Sequence, residues 1–251
     1  MKNFKVFDVV YNLEPENNKD IPIFDAFVED LSSGRWEQST FEVFKKCRDV
    51  NKSAIDIGAW IGPTTIWLSN NFKSVVAVDA DIRAIGALKQ NLSTSNCNNV
   101  HVIDKPVHSL NLEVIFGANQ YVEFFKQQGL GCSTSQIRAG SIQDGDYTIP
   151  TVTLRDLGSI VPLEEVGFVK VDIEGGEELI LEDLAKLGAQ YNWKLWVSFH
   201  YDWWKDRDIG RFTNLFSQAK YIGVDGSSNQ LHGDFTECIR NNPFTSLYIE
   251  Y

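Results

Sequence analysis

Short apolar runs alternate along most of this chain with segments whose apolar residues recur every three or four positions. Runs near residues 53–57, 75–79, 100–103, 168–173 and 195–199 predict strands, and the segments near 62–70, 82–92, 176–187 and 208–219 predict helices. That rhythm belongs to an α/β architecture, a mostly parallel sheet wound with helices on both faces. Residues 1–50 precede it as an N-terminal extension, with a strand within Phe4–Val10 and amphipathic helices over about 22–32 and 39–49. The main domain then covers residues 51–251. From about 111 to 154 the rhythm breaks. Leu112–Phe116, a glycine-rich turn at Gly129–Gly131 and Tyr147–Thr153 predict a β-rich insertion over the ligand-binding edge of the sheet. Tyr221–Val224 and Leu247–Tyr251 predict an antiparallel closing pair.

Composition narrows the class. The chain has 251 residues, enough for one large α/β domain, and a 43% hydrophobic content that suits a globular core. Its formal charge is −11 with no Lys/Arg cluster, which argues against a nucleic-acid partner, since such binding rests on phosphate neutralisation. Cys47, Cys97, Cys132 and Cys238 are too scattered for a zinc site or a disulfide frame and read as reduced thiols. Residues 1–6 lack the apolar stretch of a signal peptide, and no segment has the length of a membrane span. The expectation is a cytoplasmic protein with no membrane partner.

Two motifs carry the chemistry. In Ala54-Ile55-Asp56-Ile57-Gly58-Ala59-Trp60-Ile61-Gly62 an apolar strand runs into a glycine turn and then a helix-like segment beginning at Pro63. Such a turn admits a ligand close to the backbone and sets a carboxylate beside the amides of a helix N-terminus. It suits a ligand with cationic and hydrogen-bonding groups, and its spacing differs from the Gly-x-Gly-x-x-Gly of dinucleotide sites. Asp79 ends the next apolar run, twenty-one residues after Gly58. There it either accepts from a ribose diol or caps the helix that follows. The second motif is Val169-Lys170-Val171-Asp172-Ile173-Glu174-Gly175-Gly176-Glu177. Alternation along a strand predicts that Lys170, Asp172 and Glu174 share a face, a costly placement for charges unless they are paired or functional.

These blocks, with Thr153-Leu154-Arg155-Asp156-Leu157 between them, resemble the FkbM family of S-adenosylmethionine-dependent methyltransferases over roughly residues 35–200. Gly131-Cys132-Ser133-Thr134-Ser135 is similar to the family's serine-rich stretch. The chain departs from the family at Arg155, where Asp is usual, at Ser198-Phe199-His200, where Glu-x-His is usual, and at Asp104-Lys105-Pro106. The resemblance implies a Rossmann-like class I methyltransferase sheet with an antiparallel C-terminal strand. It also implies S-adenosylmethionine as cofactor, with Asp56, Gly58, Ala59 and Gly62 at the methionine end, Asp79 on the ribose and Asp104 at the adenine amino group. Trp60, Ala80 and Asp172 join that lining, and Trp36 and Glu37 either close over it or start a surface helix. The implied acceptor is a small molecule, a sugar hydroxyl of a glycan or glycan precursor.

Methyl transfer to oxygen needs an in-line hydroxyl and a base. His200 is the first candidate for the base, with Asp172 and Glu174 positioning the acceptor or the base. The same three groups could instead hold a divalent metal, with Asp202 as a fourth ligand. His101 reads as structural, and His108 and His232 carry no signal. Trp193, Trp196, Trp203 and Trp204 read as core, although Trp203 and Trp204 follow His200 and could stack on an acceptor. Asn241-Asn242-Pro243-Phe244 resembles the Asn-Pro-Pro-Phe of amino-methylating enzymes, but Asp172–Gly175 fills the place that motif would take. N-methylation of an amino sugar and a non-catalytic nucleotide-binding module are the rival readings, and a nicotinamide oxidoreductase comes last.

Overall fold

The computed structural model describes residues 1–14, 21–118, 135–138, 141–143, 145–204, 208–225, 230–231 and 234–251. Cys132, His232 and the turn at Gly129–Gly131 lie outside the described residues. The chain opens with a hairpin of β1 (Lys2–Val6) and β2 (Val9–Leu13), then α1 (Ile21–Ser32) and α2 (Gln38–Cys47). The expected single strand over Phe4–Val10 is thus two, because Phe7 turns the chain at φ 52°. There its ring meets Phe41 at 5.5 Å and lies under Lys45.

The core follows as β3 (Ser53–Ile57), α3 (Pro63–Asn71), β4 (Val75–Val78), α4 (Ile82–Thr94), β5 (Val100–Ile103), β6 (Glu113–Ala118), β7 (Ser135–Arg138), β8 (Tyr147–Pro150), β9 (Val166–Val171), α5 (Leu181–Tyr191), β10 (Lys194–His200), β11 (Tyr221–Val224), α6 (Phe235–Asn241) and β12 (Phe244–Glu250). Seven strands form the main sheet in the order β11-β12-β10-β9-β3-β4-β5. Neighbours from β5 to β10 are parallel, and β12 runs antiparallel between β10 and β11. This is the class I methyltransferase sheet expected above, with its reversed C-terminal strand. The carboxyl ends of the parallel strands lie on one edge, and β3 sits beside the crossover where the winding changes direction, the usual place for a ligand crevice.

Both faces of the sheet are buried. Ile55, Val76, Val169 and Leu195 pack on one side with Leu154, Leu157 and Leu184. Ala54, Val75, Phe168 and Trp196 pack on the other with Tyr11, Phe41, Phe44 and Trp67, so the N-terminal elements cover that face. Trp193 and Trp196 are core residues, as expected. Asp56 and Lys170 share the N-terminal face and stand directly opposite each other in the β3–β9 register. The insertion forms a separate sheet, β7-β6-β8, whose Val114, Phe116 and Ile149 pack on Ala80.

One predicted helix is absent. Over 208–219 the structure has a single 3-10 turn, Ile209–Phe212, followed by further turns. Ile209, Phe212 and Phe216 are buried as a helical stripe would require, but Asn214 takes φ 68° and breaks the helix between them. The helix α6 and the strand β7 were not anticipated. No helix among the described residues is long and apolar enough to cross a membrane.

Candidate active site

The turn after β3 is set by backbone constraints. Gly58 has φ +82°, and a Cβ there would lie 1.8 Å from the Asp172 carbonyl oxygen, so only glycine allows β3 and the end of β9 to approach this closely. The Gly58 and Ala59 amides donate to Val78 O, and Gly62, at φ +97°, hands the chain to α3 with Pro63 at its first turn. Asp56 is fully buried beneath this turn. Its Oδ2 accepts from Thr64 Oγ1 at 2.8 Å and Thr65 Oγ1 at 2.6 Å, which fastens the start of α3 to β3.

At the end of β4, Asp79 accepts Trp60 N on Oδ2 at 2.7 Å and Asp81 N on Oδ1 at 2.9 Å. The cap of α4 is Asp81, whose side chain accepts from Arg83 N. Asp79 is therefore not spent on capping, and each of its oxygens keeps a lone pair for a further donor. Burial pushes its carboxyl up to about 6, against the two backbone donors. Beyond Asp79 the insertion closes in: Tyr147 Oη donates to Ala80 O and accepts from Ile82 N.

The other half of the site is built from charged side chains. Lys170 Nζ donates to Gly58 O at 2.7 Å and lies 3.3 Å from Asp56 Oδ1 and 3.8 Å from Asp172 Oδ2. Burial opposes its charge, but the Asp56 and Asp172 carboxylates outweigh that and raise its pKa. Strand β9 ends at Val171, and Glu174 takes φ 54°, so Asp172 and Glu174 converge through a turn and not through strand alternation. His200, ending β10, puts Nε2 3.3 Å from Glu174 Oε2 and 3.8 Å from Asp172 Oδ1. Its Nδ1 meets Glu177 Oε1 at 3.0 Å. Glu177 is wholly buried and also accepts from Gly175 N, Ile173 N and Trp204 Nε1. Burial works against a charged imidazole, yet Glu177, Glu174 and Asp172 push His200 up to about 10. Burial is also the main cause that raises Glu174 to about 8. Carboxylates thus face both ring nitrogens of His200, Glu177 at Nδ1 and Glu174 at Nε2.

A cavity of about 260 Å³ joins the two halves, close to the lower end of small-molecule clefts at roughly 300–1,000 Å³. Of the residues expected in the site, Glu37, Gly58, Ala59, Trp60, Asp79, Ala80, Asp172 and Glu174 line it, as does Trp36. Three expected cofactor residues lie elsewhere. Asp56 is sealed beneath the turn, Gly62 packs toward Leu88, and Asp104 is 64% exposed with Lys89 Nζ at 4.0 Å. Lys105, Pro106 and Val107 form the wall where Asp104 was expected. His200 stands behind Glu174, stacked on Trp203 at 5.2 Å, and exposed Asp202 is not part of the Asp172–Glu174–His200 group. Sequence reasoning missed Glu177, which the Glu-Gly-x-Glu pattern contained. It also missed Phe116, Gln136 and Ile137, for which the sequence carried no signal.

No family model matches the chain, and no curated protein matches it. Solved structures similar to it include the methyltransferase FkbM of Methylobacillus flagellatus, at 17% identity and a TM-score of 0.46 over 79% of this chain. This chain spans 43% of the length of that protein. A candidate methyltransferase of Streptococcus mutans in complex with SAH is 15% identical, with a TM-score of 0.46, over 86% of this chain and 98% of its own. An rRNA methylase of Streptococcus thermophilus is 12% identical, with a TM-score of 0.42, over 85% of this chain and 93% of its own.

The chain's own residues fit S-adenosylmethionine. Val78, Ala80, Val107, Phe116 and Ile137 offer an apolar slot for an adenine, and Asp79 two acceptors for a ribose. Glu37, which burial and the Asp172 charge hold above the usual carboxylate range, lines the cavity together with Asp172, and the two are acceptors for cationic groups.

Proposed function

We propose that this chain is an S-adenosylmethionine-dependent methyltransferase acting on a hydroxyl of a small acceptor, a sugar of a glycan or glycan precursor. The observation that carries the reading is the cavity at the carboxyl edge of β3, β4 and β9, bounded by a close glycine turn and by an Asp79 carboxylate free to accept two donors. When bound, the cofactor would supply an electrophilic methyl group. Asp79 would take the ribose diol, and Gly58, Ala59 and Trp60 would run along the ligand with no side chain of Gly58 in the way. Trp36 and Trp60, both edge-on to Phe27 at 5.4 and 5.1 Å, would exclude water from the mouth.

The acceptor side falls to Asp172 and Glu174, the two carboxylates of the charged cluster that reach the cavity. They would hold the hydroxyl in line with the methyl group, and one of the two carboxylates would receive its proton. His200, held by Glu177, positions Glu174 and does not itself serve as the base. The test is transfer of label from methyl-labelled S-adenosylmethionine to a panel of sugar nucleotides and glycans, with product mass and fragmentation to separate O- from N-methylation. Calorimetry with S-adenosylhomocysteine comes beside it. Failure of that ligand to bind would overturn the reading.

A further inference from the structure

We infer that Asp172, Glu174 and His200 form a binding site for one divalent cation of the Mn²⁺ or Mg²⁺ kind, placed to hold the acceptor hydroxyl. One donor atom from each residue lies within 4.8 Å of the others. Cis ligands of an octahedral ion bound at about 2.1 Å stand about 3 Å apart. The 3.3 Å from His200 Nε2 to Glu174 Oε2 and the 3.8 Å to Asp172 Oδ1 need only a small contraction to reach that spacing.

Two further observations point to a ligand. Glu174 Oε2 is buried and makes no hydrogen bond among the described residues; it faces only the ion-pair contact of His200 Nε2 at 3.3 Å, the two donor atoms that a cation between them would ligate. On the far side of the imidazole, Glu177 Oε1 occupies Nδ1 at 3.0 Å. A carboxylate in that position fixes the tautomer that presents Nε2 to a metal, the usual support of a metal-bound histidine. Glu177 is itself locked by Trp204 Nε1, Gly175 N and Ile173 N, so the orientation is built into the fold. Asp172 divides its oxygens between neighbours, Oδ2 toward Lys170 and Oδ1 toward His200. Two carboxylates and one imidazole suit a hard or borderline ion, and the imidazole favours Mn²⁺ over Mg²⁺. Asp172 and Glu174 line the cavity, so the ion's remaining positions open on it. The purpose of the ion rests on the methyltransferase reading, but its binding does not.

The test uses the full chain stripped with EDTA and dialysed, titrated with Mn²⁺ alone and followed by calorimetry and by melting temperature. One Mn²⁺ per chain and a raised melting temperature are expected. Glu174→Gln and His200→Asn should abolish both effects, and Glu177→Gln should weaken binding roughly 10- to 100-fold. S-adenosylhomocysteine binding by Glu174→Gln shows that variant to be folded, since the ribose and adenine contacts lie elsewhere. If the unmodified protein binds no Mn²⁺, or if binding survives in both Glu174→Gln and His200→Asn, the site is overturned. S-adenosylhomocysteine binding without Mn²⁺ binding would reject the cation site while leaving the methyltransferase reading intact.

Discussion

The β3–β4 edge and the β9–β10 edge of the cavity are made in opposite ways. At the first, a glycine turn, backbone amides and one pinned carboxylate form the wall. At the second, Lys170, Asp172, Glu174, Glu177 and His200 form a network of charged side chains in which Lys170 and Glu177 are buried and the other three half-buried. A backbone-built wall presents one rigid shape and suits an invariant ligand portion. A wall of charges holds its form only while every member is present, and it can act on protons and cations. Lys170 belongs to both, because its Nζ grips the Gly58 carbonyl from beneath while facing Asp172.

The contrast can be broken most severely at the turn. In Gly58→Ala the new Cβ would meet the Asp172 carbonyl at 1.8 Å in a backbone region hostile to L side chains. A loss of more than about 4 kcal/mol is expected, with S-adenosylhomocysteine binding gone, as read by urea denaturation and calorimetry. Next comes Lys170→Met, which leaves Asp56 buried without its cation and should cost about 3 kcal/mol or more. A near-native midpoint there would mean the two walls are not coupled through this lysine.

Asp79→Asn sharpens the comparison without dismantling it. Loss of charge-assisted acceptors for the ribose should weaken S-adenosylhomocysteine binding roughly 10- to 100-fold. In the unmodified protein the acceptor form is the carboxylate, so affinity should fall as pH drops through about 6 and level off above it. Lys170 favours that carboxylate and Asp81 opposes it. The unliganded fold responds with the opposite sign. Folded Asp79 keeps a proton that the unfolded chain releases near 4, so this group lowers stability as pH rises from about 4 to about 6. An affinity that stayed level between pH 5 and 7 would remove Asp79 from the ribose role. The smallest effect is expected from Tyr147→Phe, which loses the bond that ties the insertion to Ala80. About 1 kcal/mol of stability and a few-fold in affinity should go with it, measured by the same denaturation and calorimetry.

The two walls also differed in how far the sequence revealed them. Gly58 and Asp79 were legible because local backbone geometry demands glycine at the turn and because a short apolar run announces where β4 stops. The parallel strands β3, β4, β5, β9 and β10 were readable for the same reason. The apolar stripe of 208–219 misled, since Ile209, Phe212 and Phe216 reach the core through turns that Asn214 permits. Asp104 misled too: it follows β5 in sequence, but the chain turns inward only at Lys105–Val107.

Sequence alone determined the alternation of strands and helices, the glycine turn and the presence of charges at the end of β9, all of which arise from local preferences and periodicity. Tertiary structure decided how those charges are used. Glu177 and His200 are twenty-three residues apart and meet only because β10 lies parallel beside β9. The Asp56–Lys170 pair likewise exists only through the β3–β9 register. A carboxylate buried against an imidazole and one open to water have the same letter in the sequence, and only the folded neighbourhood fixes which of them carries the chemistry.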